Sequence, residues 1–234
     1  MTHDFKSAKQ KFEPYLRGAG FIPRPSKRIW AYDGKFYLIV LELAPCHLGG
    51  FFTNLGVSFL WNKPEAAWDF YYFEYANYHW HRLYTEHTNI GGSILYESPN
   101  FEAQIDEMIQ VLALQVEEYK KLSDLDYLAE KLRNRRDLFW SQHQKDCNMA
   151  DDSLGIVQML RGKSDEAKAI FQYNYHAPSG WAIEYLQHCD STEAFKTYIT
   201  QKIMEYRVLY AAKYKYRLPV IEEIFPACFY DARV

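Results

Sequence analysis

The sequence predicts an α+β fold, in which an amino-terminal helix lies on an antiparallel meander sheet and an α-helical bundle follows. Apolar residues alternate with period two up to about residue 97, and from Ser98 onward they recur with the 3.6-residue period of helices. Residues 27–61 have the pattern of three consecutive strands joined by short turns. We therefore predict a sheet domain over residues 1–97 and a helical domain over residues 98–234, packed against it.

The first element is predicted to be an amphipathic helix. Gly18 or Gly20 can supply the left-handed residue that ends it. Pro14 lies inside the pattern, and we expect it to kink the helix or make it restart, because proline has no amide hydrogen to donate. The apolar residues at helical spacing are Phe5, Ala8, Phe12, Tyr15 and Leu16.

Two turns divide the predicted meander. Asp33-Gly34 separates its first two strands, and both residues tolerate the positive φ of a two-residue hairpin loop. The second turn lies within residues 45–50. The strand between these turns is apolar on both sides until Glu42, which predicts a central strand with both faces covered.

The third strand carries one face of small and polar residues, namely Asn54, Gly56 and Ser58. Such a face can receive a helix, a ligand or another protein, or it can be solvated with a glycine where a backbone comes close. Glu42 on the neighbouring strand is either an acid with a perturbed pKa or a carboxylate hydrogen-bonded to its neighbours. The sequence alone leaves these alternatives open.

An aromatic run follows the third strand. Residues 59–84 contain eleven aromatic rings in twenty-six positions, after which residues 94–97 are predicted to form a last short strand. We expect a helical turn from Pro64 and one or two strands within residues 68–84. A short strand pair cannot bury eleven rings on one face, so the rings either form a binding interface or are covered by the helical domain as an interdomain core.

All later elements are predicted to be helical. Ser98 is expected to cap a helix that begins at Pro99, and a second helix follows over residues 125–139. The last long helix is predicted over residues 191–217 and ended by Pro219.

One helical pair, at about residues 151–178, resembles a tetratricopeptide-type hairpin. Gly155 matches the small close-packing position of that repeat's first helix, and Gly162 matches the turn between its helices. Ala167 and Phe171 match the second helix, whereas the repeat's usual first-helix aromatic positions are not matched. The sequence holds one copy and a solenoid needs about three, so a hairpin within a bundle is predicted, not a peptide-binding superhelix.

Residues 5–85 resemble a bacterial family of domains of unknown function. The resemblance rests on the order of a helix, Gly-Phe, a basic residue, an aromatic residue, Asp-Gly and a strand with the motif F-T-N-L-G-V. Members of that family are small α+β domains, and many look like immunity proteins encoded beside secreted polymorphic toxins, with no catalytic activity assigned. The resemblance therefore implies a protein that binds a toxin-like partner. The matching positions are Leu16, Gly20-Phe21, Arg24, Trp30, Asp33-Gly34 and residues 52–57.

Charge and composition argue against several function classes. Residues 64–131 contain thirteen acidic against four basic residues, whereas residues 1–35 contain eight basic against three acidic ones. The basic stretch lacks interleaved surface aromatic residues and any known motif, so we predict no nucleic-acid partner. No signal peptide and no apolar run of 18 residues is present, and the four scattered cysteines have no CxxC spacing. These features predict a cytoplasmic protein with reduced thiols and no membrane partner.

Catalytic motifs are scarce. The sequence has no GxSxG, P-loop or GxGxxG pattern. If residues 78–84 form a strand, His79 and His81 project on one face, about 6–7 Å apart, and could share a metal with Glu86 or His87. We expect these histidines to be structural or solvated and predict no cofactor. The alternative function is a metal-assisted hydrolase that uses His79 and His81.

The favoured interpretation is a non-catalytic, cytosolic protein-binding module, with an immunity protein that neutralises a secreted toxin as its specific form. Many secreted toxins are basic nucleic-acid enzymes, and an acidic face with exposed rings can occupy their substrate groove. The predicted partner-binding patch combines acids with rings of the aromatic run. Its members are Glu65, Trp68, Asp69, Tyr72, Glu74 and Tyr75.

Overall fold

The computed structural model describes residues 4–24, 28–62, 82–88, 92–143, 151–175, 180–215 and 217–225. The chain divides into two compact units. Within the described residues, the first unit lies within 4–62, 82–120 and 206–220, and the second within 121–205 and 221–225. Each unit is built from elements distant in sequence.

The first unit is a helix-covered antiparallel sheet. Its helices are α1 (Phe5–Gly18) and α2 (Phe101–Lys120), and each strand of its sheet pairs with the next along the chain. This order is a meander, so the predicted α+β class with an amino-terminal helix and later helices is confirmed. The strands are β1 (Ile22–Pro23), β2 (Ile29–Asp33), β3 (Tyr37–Cys46), β4 (Gly50–Phe59) and β5 (Ser93–Leu95).

Helices α1 and α2 cover one face of the sheet. The ring of Phe12 in α1 contacts Phe51 of β4 edge-on, with 6.1 Å between centroids. The hydroxyl of Tyr37 in β3 donates to the backbone carbonyl of Lys120 at the end of α2, at 3.1 Å. Residues 37–41 of β3 are buried without interruption, so the prediction of a central strand covered on both faces is confirmed.

The turn between β2 and β3 differs from the predicted Asp-Gly loop. Asp33 pairs with Leu38, and the amide of Gly34 donates to the carbonyl of Tyr37, so Lys35 occupies the turn and has the positive φ, 71°. The carboxylate of Asp33 accepts the amide of Lys35 at 2.9 Å, which fixes this conformation. Glycine is needed at position 34 for a different reason, because a Cβ there would lie 2.3 Å from the Tyr37 ring.

Helix α1 continues through Pro14 as one helix and does not restart. Pro14 is exposed, so the carbonyl that loses its helical amide partner faces water and can be hydrated. Asp4 caps the amino terminus by accepting the amide of Ser7 at 2.8 Å.

The elements that follow β5 are all helices in the described residues. No strand occurs in the described part of residues 99–217, as the periodicity predicts. Helix α2 begins at Phe101, two residues later than predicted, because Ser98 accepts the amide of Asn100 in a turn that precedes the helix. The helices after α2 are α3 (Leu125–His143), α4 (Asp151–Leu160), α5 (Ser164–Tyr175), α6 (Gly180–Gln187) and α7 (Thr192–Tyr214).

The compact units do not divide at the switch from strand to helix pattern. Helix α2 belongs to the first unit, since it packs against α1 and β5. The residues of α7 from Tyr206 onward also belong to the first unit. The predicted boundary at residues 97–98 marks the change from strands to helices along the chain. The compact units are instead defined by which residues contact one another, and the two boundaries differ.

Helices α4 and α5 form the predicted hairpin in the second unit. Gly162 has a φ of 76° in the turn between them, and Ala167 and Phe171 are fully buried. Gly155 lies against Phe171, where a Cβ would be 2.4 Å from the ring atom Cε1. The close approach of the two helices therefore depends on the absence of a side chain at position 155.

Gly155→Ala is expected to lower the free energy of unfolding of the second unit by about 1–3 kcal/mol, because the added methyl group overpacks the Phe171 ring. Alanine favours a helix over glycine by about 1 kcal/mol, so a net loss of stability would come from the steric clash with Phe171. Hydrogen exchange of α4 amides measures it. Gly18→Ala is the matched control, since a Cβ there meets nothing within 4 Å. A Gly155→Ala protein as stable as the wild type would contradict the prediction.

Candidate functional site

The residues that the sequence assigns to partner binding, and the two histidines of the metal-site alternative, lie outside the described residues. The structure therefore tests neither assignment, and both stay predictions. Among the described residues, no group of three or more His, Cys, Asp or Glu side chains could hold a metal ion. The residues concerned are Glu65, Trp68, Asp69, Tyr72, Glu74 and Tyr75 of the patch, and His79 and His81.

Three rings of the aromatic run are described, and they have different environments. Phe59 and Trp61 are fully buried, and Trp61 stacks on Phe59 at 4.6 Å and on Phe36 at 5.6 Å between centroids. Tyr84 is 56% exposed. Two of these rings therefore belong to the core of the first unit, and the third is available at its surface.

A loop beside Tyr84 is anchored on α2. The side-chain amide of Gln104 donates to the carbonyl of His87, and Nδ1 of His87 lies 3.1 Å from Oε2 of Glu107. The neighbouring polar side chains of Thr85 and then His87 lower the pKa of the Glu107 carboxyl. These contacts hold residues 85–88 against the helix, so the adjoining Tyr84 is presented from a fixed backbone.

The solvent side of α2 carries the most exposed leucine of the described residues. Leu114 is 77% exposed, and it lies two helical turns from Glu107 on the same stripe. Glu118 continues this stripe by one further turn. We call Tyr84, Glu86, Glu107, Leu114 and Glu118 the α2 surface.

The α2 surface is acidic, and part of its charge is compensated within the unit. Described residues 82–120 contain seven acidic and two basic residues. Lys11 lies 2.5 Å from Glu102, and Lys120 lies 2.7 Å from Glu117, which reduces the negative field near those two acids. Glu86 and Asp106 form no ion pair with a described residue, so the remaining field is negative near Tyr84 and the start of α2.

The small polar face of β4 is closed by a helix at one end. Ser58 is 1% exposed, and its hydroxyl lies 2.7 Å from the hydroxyl of Tyr210 in α7. The sequence left open whether a helix, a ligand, another protein or solvent covers this face. At Ser58 the structure has a helix.

The other end of the same face holds a polar row. Asn54 lies opposite Glu42 in the pairing of β3 with β4 and opposite Arg82 in an isolated bridge. The side-chain amide of Asn54 donates to Oε2 of Glu42 at 3.3 Å. Burial raises the pKa of the Glu42 carboxyl, and the Asn54 hydrogen bond offsets part of that effect. Glu42 therefore has both properties considered from the sequence, a perturbed pKa and a hydrogen-bonded neighbour.

The second unit contains a charged cluster that sequence reasoning missed. Lys202 of α7 is 5% exposed, and its Nζ lies 2.9 Å from Oε2 of Glu184 and 3.0 Å from the hydroxyl of Tyr198. The ring of His188 stacks on Tyr198 at 3.9 Å. The polar atoms bond one another across α6 and α7, which makes the cluster a structural link. Its members are separated in sequence by up to eighteen residues, and no local pattern indicates their pairing.

Profiles of known protein families, curated proteins and solved structures contain no match to this chain. The resemblances to a bacterial family of unknown function and to a tetratricopeptide hairpin stay predictions as family assignments. Among the described residues, no helix combines the length and apolar character needed to cross a membrane. Function is therefore argued from the surfaces described above.

Proposed function

We propose that this chain is a non-catalytic, cytoplasmic protein-binding module that binds a basic protein through the α2 surface. The supporting observation is that the loop anchored on α2, and α2 itself, each carry an exposed apolar side chain, Tyr84 and Leu114, together with acidic residues. Aromatic and aliphatic anchors surrounded by polar residues are the usual anatomy of an interface hot spot.

The two kinds of side chain act on different steps of association. Glu86 and Asp106, which form no ion pair with a described residue, attract a positively charged surface and raise the association rate, which salt then lowers. Burying Leu114 gains about 1.5–3 kcal/mol at most, and this gain slows dissociation. Because the loop is already fixed on α2, little conformational entropy is lost when Tyr84 is covered.

The specific form of the proposal is an immunity protein that neutralises a secreted toxin. The resemblance of residues 5–85 to immunity-protein-like domains supports it, as does the acidic charge of residues 64–131. The proposal also includes the partner-binding patch predicted at residues 65–75, as a second region that contacts the toxin. A basic protein encoded by the neighbouring gene is the first partner to test.

Tyr84→Ala and Leu114→Ala are each expected to speed dissociation of that partner by about tenfold or more, because each removes an apolar anchor. The free energy of unfolding is expected to change by less than about 0.5 kcal/mol, since both side chains are exposed. Biolayer interferometry measures the rates. Leu48→Ala is the matched control, because Leu48 is 60% exposed in the turn between β3 and β4, away from α2. Equal effects of all three substitutions would contradict the assignment of the surface.

The combined Glu86→Gln and Asp106→Asn substitutions test the electrostatic part. We expect slower association and a weaker salt dependence, with the dissociation rate little changed. A partner whose association is unaffected by these substitutions is not steered by the negative field near Tyr84 and the start of α2. Stoichiometric zinc in protein purified without chelator, lost from a His79→Ala, His81→Ala variant, would contradict the non-catalytic proposal and favour the hydrolase.

A further inference from the structure

The outer side of α1 carries a stripe of exposed residues with a positive charge at each end. Its members follow one another at intervals of four, four and three residues, which places them on one face of the helix. They are Lys6, Gln10, Pro14 and Arg17. Lys6 forms no ion pair with a described residue, and Arg17 is 80% exposed and 3.9 Å from Glu13. Both cations can therefore reach an acid on another molecule. We call these four residues the α1 stripe.

The outer side of α2 carries a stripe with the same spacing and the opposite charge. The α2 stripe consists of Asp106, Gln110, Leu114 and Glu117, all exposed. Asp106 forms no ion pair with a described residue, and Glu117 is 68% exposed in its pair with Lys120. In chain order, lysine corresponds to aspartate, glutamine to glutamine, proline to leucine and arginine to glutamate. The end charges of each stripe are eleven residues apart, or about 16 Å along a helix, so the two stripes complement each other.

The two helices are neighbours and run in the same direction. Lys11 of α1 lies 2.5 Å from Glu102 at the start of α2. At the other end, Phe21, just after α1, contacts the Tyr32 ring at 6.0 Å between centroids, and Nζ of Lys120 lies 5.2 Å from the centroid of the same ring. A two-fold axis that runs along this common direction, between the helices at their outer side, places α1 of each copy on α2 of the other. It leaves the direction of each helix unchanged, so the two stripes meet in matching order.

We propose that the chain forms a symmetric dimer in which the α1 stripe of each copy packs on the α2 stripe of the other. Lys6 and Arg17 of one copy pair with Asp106 and Glu117 of the second copy, and Leu114 is covered between these ion pairs. The two-fold symmetry forms the same contacts twice. Lysine and arginine side chains are long and flexible, so they can bridge an axial offset of about one turn, 5.4 Å, between the stripes.

The dimer covers part of the α2 surface. A second copy would therefore compete with a basic partner for Leu114, with its own α1 as the basic element. This competition rests on the proposed function, whereas the dimer itself needs no toxin. The interface consists of two helices from each copy, so we expect a weak dimer that a tighter partner displaces.

Sedimentation velocity of the full chain tests the dimer. We expect the wild-type chain to pass from monomer to dimer within the micromolar range of concentration, and less readily at high salt. Lys6→Glu with Arg17→Glu makes both stripes acidic, and Asp106→Lys with Glu117→Lys makes both basic. Each double variant alone is expected to dimerise about tenfold more weakly or worse, because like charges meet.

An equal mixture of the two double variants is the decisive sample. We expect it to form a heterodimer at least as tight as the wild-type dimer, because an acidic stripe then meets a basic one at both helix pairs. A folding defect cannot produce such a rescue. Lys163→Glu with Glu193→Lys is the control, since both positions are exposed in the second unit, and it should dimerise as the wild type does.

Three results would overturn the proposal: a wild-type chain that stays monomeric, a dimer that the double variants leave unchanged, or a mixture that stays monomeric. If a charge-reversed chain fails to fold, Lys6→Gln with Arg17→Gln serves instead, and a weaker dimer is expected. The outcome is independent of the proposed function. A dimer without toxin binding contradicts only the proposed function, and toxin binding by a strict monomer contradicts only the dimer.

Discussion

Replacing Arg207 with alanine is expected to destabilise the first unit by about 3–5 kcal/mol. The guanidinium of Arg207 donates to both carboxylate oxygens of Asp33, at 2.7 and 2.6 Å, and both side chains are less than one-tenth exposed. It also donates to the carbonyls of Lys35 and Pro219, at 2.7 and 3.0 Å. Removing it leaves a buried carboxylate without its partner and two carbonyls without a donor.

Hydrogen exchange of β3 amides measures this loss within the first unit. Arg207→Lys retains the charge but cannot form the planar bidentate pair, so most of the destabilisation is expected to persist. Arg17→Ala is the matched control in the first unit, since Arg17 is 80% exposed in its pair with Glu13 and such pairs contribute less than about 1 kcal/mol. An Arg207→Ala protein with unchanged exchange would show that water replaces the guanidinium.

Replacing Trp61 with alanine is expected to lower the free energy of unfolding of the first unit by about 3–5 kcal/mol. Trp61 is fully buried and stacks between Phe36 and Phe59, with ring planes 11° and 9° from parallel. Truncation removes the stacking contacts and leaves a cavity that the rigid strands on either side cannot fill.

Urea unfolding, followed by exchange of β3 and β4 amides, measures the effect of Trp61→Ala. Trp61→Phe is expected to recover most of the stability, because a ring remains in the stack. Tyr84→Ala serves as the control from the same aromatic run, with a change below about 0.5 kcal/mol. If Trp61→Ala and Tyr84→Ala cost the same, the distinction between core and surface rings in this run is wrong.

The meander, the helices and the buried stripe of α2 were predictable because each is encoded by neighbours in sequence. Period-two alternation in residues 51–59 and the 3.6-residue period in residues 101–119 determine which side chains share a face. Gly155 and Gly162 likewise identify the α4–α5 hairpin. The close approach of the two helices and the positive φ of their turn both require glycine, and both arise within one short segment.

The candidate surfaces were only partly predictable. Acidic charge within residues 64–131 and surplus rings indicated an interface, and Tyr84 is an exposed ring of that run. Leu114 lies outside the apolar stripe of α2, but it was missed as a site residue because a single exposed leucine does not by itself indicate an interface. The polar row on the sheet was indicated by Glu42 and Asn54 separately, and only the register of β3 and β4 brings them together.

The sequence by itself determined the α+β class and the apolar faces of the main strands and helices. Only the tertiary structure decided what covers those faces and which residue takes the strained position in a turn. Lys35, not Gly34, has the positive φ, because Asp33 binds its amide and the Tyr37 ring occupies the space beside Gly34. Arg207 reaches Asp33 across 174 residues, and a contact of that range leaves no periodic signal in the chain. Local periodicity reflects the backbone geometry of a few residues, whereas such pairings depend on packing of the whole unit.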